Sequence, residues 1–233
     1  MDLRALPKVE LHRHLEGSVR LSTVFELSRR AGIELPADSP EELARHALIT
    51  SPVDGLEKAL EAFAITQNSI RTYDAVRRIT REAIEDLALD NVRLAELRFS
   101  PDFLCRPGGL DWDQAFEAML EGGADALAAG HDVAVGFIAI FSRDYGMESA
   151  RATVDFAVRH QDELIGFDIA GSELGYPPAN YADVVAPIHD SSLGLTTHYG
   201  EAGPPEYPRS AIEMLRPARL GHGLSVAWDR NVE

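Results

Sequence analysis

Hydrophobic and polar positions along the chain alternate between two kinds of pattern. Short β-rich runs occupy residues 9–14, 92–100, 133–142, 164–171, 193–198 and 219–222, and each ends in polar residues or glycine. Helical patterns fill the intervals, the longest covering residues 20–90. Two of its helix starts carry a Ser-Pro signal. Ser39-Pro40-Glu41-Glu42 sets a capping serine before a first-turn proline and a Glu three residues on, and Ser51-Pro52-Val53-Asp54 repeats the start with an acid. Asp111-Trp112-Asp113-Gln114 opens another helix, with Ala115, Met119, Ala126 and Leu127 at core-like spacing. Residues 147–163, 181–189 and 209–215 complete the expected helices.

Strand and helix in steady alternation predict parallel strands joined by right-handed crossovers. Six such strands fit most of a (β/α)8 TIM barrel or a doubly wound open sheet. No glycine-rich fingerprint follows the first strand, which weakens the dinucleotide-binding version. The chemistry at the strand ends favours the barrel, so the expected fold is an α/β barrel, one domain over 1–233, with 20–90 as a helical insertion after the first strand.

The 233 residues, 45% hydrophobic, suffice for one sizeable core. Against 22 Lys and Arg stand 38 Asp and Glu, a formal net charge of −16 with no basic cluster. That balance argues against nucleic acid, whose binding rests on cationic side chains, and against membrane surfaces. Residues 1–7 lack the apolar core of a signal peptide, and no run approaches a membrane span. The single cysteine, Cys105, has no partner for an intrachain disulfide. A cytoplasmic location is expected.

Chemistry gathers where the runs end. In Leu11-His12-Arg13-His14-Leu15-Glu16-Gly17, alternation along a strand puts His12 and His14 on one face, within reach of one metal ion. Val9, Leu11 and Leu15 take the other face, under an expected helical layer, with Arg13 beside them. Thr196-Thr197-His198-Tyr199-Gly200-Glu201 adds a third imidazole, a set that suits zinc or another borderline transition metal, and a carboxylate just beyond it. In Arg219-Leu220-Gly221-His222-Gly223, glycines leave a histidine accessible for acid–base work. Each alone reads as an ordinary loop residue, but together they sit where barrel enzymes build their sites.

Four motifs in order, H-x-H-L-E-G-S, D-I-A-G-S-E-L-G, T-H-Y-G-E-A-G and R-L-G-H-G, resemble the adenosine deaminase family across essentially the whole chain. The resemblance implies one Zn2+ per chain, bound by His12, His14 and His198. It implies that Glu201 protonates the purine ring nitrogen, that His222 is the base acting on water, and that the Gly171 backbone N–H contacts the purine. The implied reaction is hydrolytic deamination of a small-molecule purine nucleoside, adenosine first. Adenine or a modified adenosine such as aminodeoxyfutalosine are the alternatives, and an inactive zinc-binding fragment is the rival from another class.

Two departures from the family pattern bear on these expectations. Glu16 stands where the family often has the aspartate that contacts ribose. The family's barrel continues through two further strands, the last bearing paired aspartates, one a zinc ligand. The chain is accordingly expected to be truncated after about the sixth strand, a ligand short, and open to self-association along a barrel edge. The remaining polar residues read blandly: His46, His131, His160 and His189 as solvated, Cys105 as a loop residue, Glu96 and Arg98 as an ion pair, and Phe116 and Met119 as core.

Overall fold

The computed structural model describes residues 3–228. It divides into two units, Met1–Gly136 and Phe137–Glu233. Six strands form, each within a few residues of its expected place, and the strand pairs for which a register is defined are all parallel. Among the described residues, no helix is long and apolar enough to cross a membrane.

In the first unit β1 (Lys8–His14) pairs with β2 (Val92–Phe99). Glu10 stands opposite Ala95 and Arg13 opposite Leu97, so β1 carries one extra residue in between. Side chains satisfy the backbone at this bulge. The His12 N–H donates to Glu10 Oε1 at 3.0 Å, and the Leu11 carbonyl accepts from Nη2 of Arg98, only 2% exposed. Leu15 is buried, but Val9 is 61% exposed and Leu11 44%, contrary to the expected covering layer. The helices following β1 are engaged elsewhere: α1 (Leu21–Arg30), α2 (Pro40–Ala47) and α3 (Leu56–Ser69) pack on one another.

Four helices occupy residues 20–90, the fourth being α4 (Tyr73–Leu89). Ser39 caps α2 as its sequence suggests, accepting the Glu42 N–H, whereas Ser51 caps nothing and α3 starts later, behind Gly55. Charge ties α1 to α4: Arg20 grips Asp86 with two nitrogens and Glu85 with one, and Thr23 donates to the buried Glu82. After the short α5 (Pro101–Cys105) comes α6 (Trp112–Ala128), capped by Asp111. Its buried face runs through Ala115, Met119, Gly122 and Ala126. Leu127, one step round the helix, is 65% exposed and not core.

In the second unit β3 (Ala134–Ser142), which begins in the first, pairs with β4 (Leu164–Ala170). Then β4 pairs with β5 (Gly194–Tyr199), and β5 with β6 (Arg219–His222). Helices α7 (Gly146–Arg159) and α9 (Glu206–Leu215) cover expected stretches. The helix expected over 181–189 does not form as one piece. A 3-10 turn at Pro178–Tyr181 and a single turn, α8 (Ala186–His189), take its place, since prolines at 177, 178 and 187 withhold backbone donors. His160 is half-buried against the Phe156 ring rather than simply solvated.

Helices α4 and α6 lie against each other so closely that one residue decides the packing. A Cβ on Gly122 would run into the Arg77 carbonyl oxygen and stand 3.0 Å from Thr80 Cβ. Alanine is the better helix former by about 1 kcal/mol, but overlap with backbone costs about 1–3 kcal/mol and cannot be relieved by a rotamer change. Gly122→Ala is therefore expected to lower stability, read as a lower midpoint in urea denaturation. An unchanged or higher midpoint would show that the two helices can separate without loss.

Candidate functional site

In the first unit, His12 and His14 share a face of β1 with ring centroids 5.4 Å apart and planes tilted by 49°. The edge of His14 meets Phe63, and its carbonyl accepts the Ser18 hydroxyl at 2.6 Å. These contacts give the end of β1 a fixed exit. Glu16, the acid that the resemblance assigns to a sugar, is directed inward. It is 3% exposed, and its Oε1 accepts the Ser100 N–H at 2.7 Å. Burial pushes its carboxyl up to about 7, against the lowering by that N–H. Cys105 lies at the end of α5, fully buried, not in an open loop. Burial and the neighbouring acids Glu16, Asp111 and Asp102 push its thiol up to about 12.

In the second unit the strand ends carry a denser arrangement. Asp168, completely buried on β4, approaches His198 Nδ1 with its two oxygens at 3.1 and 3.0 Å, and Oδ1 also accepts the Ile169 N–H. A carboxylate accepts from an N–H, so this contact puts a proton on Nδ1. An imidazole held this way has the orientation and basicity of a metal ligand.

Beyond β5 the Glu201 carboxylate lies 3.5 Å from Nε2 of His222, their side chains 29% and 27% exposed. The His222 ring is also 5.1 Å from that of His198. His222 has a φ of 72° and Gly223 one of 67°. Left-handed backbone at a non-glycine residue costs energy and is held only where its surroundings impose it. Here the Gly223 N–H donates to the Tyr199 carbonyl and the Ser225 N–H to that of Gly200, closing the turn.

Gly171 follows β4 with a φ of 87°, and an added Cβ would meet Ser142 Oγ, Asp144 Oδ2 and, at 3.1 Å, the Arg143 nitrogen. Asp144 pins the same turn by accepting the Ser142 hydroxyl and the Ser172 N–H, each at 2.9 Å. Arg143, 1% exposed, donates to the carbonyls of Gly171 and His198, and its guanidinium stacks 4.2 Å above the Tyr199 ring. Glu173, 2% exposed, accepts the N–H groups of Gly200, Glu201 and Ala202.

The structure thus brings Glu201 beside His222 in one unit and His12 beside His14 in the other, and turns Glu16 away to the interior. Asp168, Arg143 and Glu173 were not singled out from the sequence. A signal existed for the first two: one acid inside the apolar run Leu-Ile-Gly-Phe-Asp-Ile-Ala, and one arginine closing Phe-Ile-Ala-Ile-Phe-Ser. A charge in a buried run requires a buried partner. Glu173 had no such flag.

The family model described as adenosine deaminase matches residues 7–232. The adenosine deaminase of Shewanella denitrificans is 35% identical over 226 residues, which cover 97% of this chain and 68% of that protein. Among solved structures, an adenine deaminase from Arthrobacter aurescens matches with a TM-score of 0.84 at 29% identity, over 98% of this chain and 68% of its own. An amidohydrolase from Burkholderia ambifaria, solved with bound Zn, matches with a TM-score of 0.86 at 28% identity, over 99% and 62%. The chain therefore spans about two thirds of the length of its relatives, and its fold is the parallel α/β barrel type of these enzymes. A match that runs over nearly every residue at this identity settles descent: the chain belongs to the adenosine deaminase family.

Proposed function

We propose that this protein catalyses the hydrolytic deamination of a purine nucleoside, adenosine plus water giving inosine plus ammonia, with one zinc ion held by His12, His14 and His198. The observation that carries the reading is the Glu201–His222 pair, an acid and a base 3.5 Å apart beside a histidine whose tautomer suits metal binding. The relatives named adenosine deaminase supply the substrate.

The residues fit the metal. Two imidazoles stand 5.4 Å apart at the end of β1, and a third, at the end of β5, directs its proton to Asp168. Neutral imidazoles with carboxylate support are the donors that zinc takes. Bound there, zinc would act as a Lewis acid and bring the pKa of water down to about 7. The chain's own residues do the rest. His222 accepts the proton of the attacking water at Nε2. Glu201 holds a proton for the ring nitrogen next to the carbon under attack, so that this carbon can become tetrahedral. The Gly171 N–H, displayed by a left-handed turn, donates to the purine and fixes its orientation. Deamination of the free base adenine is the second reading, favoured by the likeness to the Arthrobacter enzyme.

Elemental analysis of protein purified without added metal is expected to find up to one zinc per chain, lost in the double variant His12→Ala, His14→Ala. Undiminished zinc in that variant would place the metal elsewhere. In the same preparation, adenosine is expected to give inosine, followed by chromatography alongside a parallel incubation with adenine. Glu201→Gln is expected to reduce turnover by roughly 10²–10⁴-fold while zinc content holds, because it removes a proton donor and not a ligand. Turnover of adenine with none of adenosine would move the assignment to the free base, and full activity of Glu201→Gln would remove Glu201 from the reaction.

A further inference from the structure

The loop leaving β5 presents three successive backbone N–H groups to one point, as anion-binding nests do. The anion it holds is part of the chain. Oε1 of Glu173 accepts the Gly200 N–H at 2.6 Å, and Oε2 accepts those of Glu201 and Ala202 at 3.0 and 2.9 Å. Glu173 is 2% exposed, so these bonds compete with little water. Glycines make the close approach possible. A Cβ on Gly203 would lie 2.6 Å from Glu173 Cδ, and one on Gly200 2.7 Å from Pro208 Cγ and 2.9 Å from Gly223 Cα. Two residues before the nest the chain is held by the opposite charge, since the buried Arg143 takes the His198 carbonyl. The segment from His198 to Ala202 is thus fixed through its backbone, by a cation on a carbonyl and an anion on three amides.

We infer that Glu173 is a positioning residue for Glu201, setting through the loop backbone where that carboxyl lies relative to His222. The inference rests on the acid role proposed for Glu201. Glu173 reaches the reaction only through the loop: it holds the Glu201 amide, while the Glu201 side chain meets His222 at 3.5 Å. Charge with two acceptor oxygens, and not size, is what the nest requires. Glutamine has nearly the same shape, but it would turn an NH2 group toward backbone N–H donors.

Glu173→Gln is therefore the test, with Glu173→Asp as the conservative variant that keeps both oxygens. In Glu173→Gln, hydrogen exchange at Gly200, Glu201 and Ala202 is expected to accelerate at least about tenfold while that in β4 and β5 holds. Adenosine turnover is expected to fall about 10–100-fold in kcat with KM little changed, the mark of a displaced catalytic group. Glu173→Asp should recover part of both effects. Unchanged exchange at the three amides overturns the inference, as does faster exchange with unchanged kcat. Should the unsubstituted protein act on no purine, the functional reading falls by itself. The inference is then decided by exchange and by the Glu201–His222 separation in a crystal structure of Glu173→Gln, where retention of the original separation overturns it. If Glu173→Gln does not fold, Gly203→Ala displaces the carboxylate without removing it. Faster exchange at the same three amides then supports the inference, and unchanged exchange overturns it.

Discussion

The arrangement in the second unit depends on one constraint: a charge without access to water must find its partners in the protein. Asp168 is completely buried, and its oxygens are taken up by the His198 imidazole and the Ile169 amide. Arg143, equally buried, settles on the carbonyls of Gly171 and His198 and on the Tyr199 ring. Strand ends are where carbonyls and amides run out of ladder partners, so they are also where such charges can be satisfied without distorting the sheet. Satisfying the charges immobilises the same residues that the site needs held still. His198 is oriented through its ring by Asp168 of β4 and through its carbonyl by Arg143, in the turn just after β3.

The first unit meets a related problem differently. The bulge in β1 breaks the ladder beside His12, and two charged side chains complete it, Glu10 from the same strand and Arg98 from its neighbour. A regular strand would also place residues 12 and 14 on one face. What the bulge adds is a pair of backbone groups bonded by side chains, which fixes how the strand bends just before the two histidines. Further out, the helices of residues 20–90 are held by polar networks at partly exposed positions, such as Arg20 with Asp86 and Arg77 with Asp125, whose individual contributions are small. Their docking rests on buried apolar faces, of which the one along α4, from Val76 through Ile79 and Ala83 to Leu87, is the most continuous.

Alternation of strand and helix made the fold class legible, most clearly at β3, β4 and β5, whose mostly buried residues read as apolar runs. The places where reading failed have local causes. Ser51-Pro52 has the composition of a cap without an adjacent helix to cap, since the apolar period resumes only at Leu56. Residues 181–189 have helical spacing but too many prolines nearby to close successive backbone bonds. Site residues with distinctive chemistry, the histidines and Glu201, stood out through motif order. Those that act through the backbone did not: a glutamate accepting three amides looks in sequence like any surface acid. Its partners are defined by chain geometry and not by residue type.

That difference bears on how the site is built. His222 sits in a left-handed conformation that costs energy at a residue with a Cβ, and the turn around it is closed by backbone bonds to Tyr199 and Gly200. Those carbonyls belong to the loop whose amides Glu173 holds, so His222 and Glu201 are referred to one short stretch of main chain. Their 3.5 Å approach follows from this shared anchorage, since neither side chain is deeply buried and neither could be fixed by packing alone. A pair held through its backbone keeps partly exposed side chains in register without burying them. The glycines at 171, 200, 203 and 223 are the condition for this, because each allows a backbone conformation or an approach that a Cβ would obstruct.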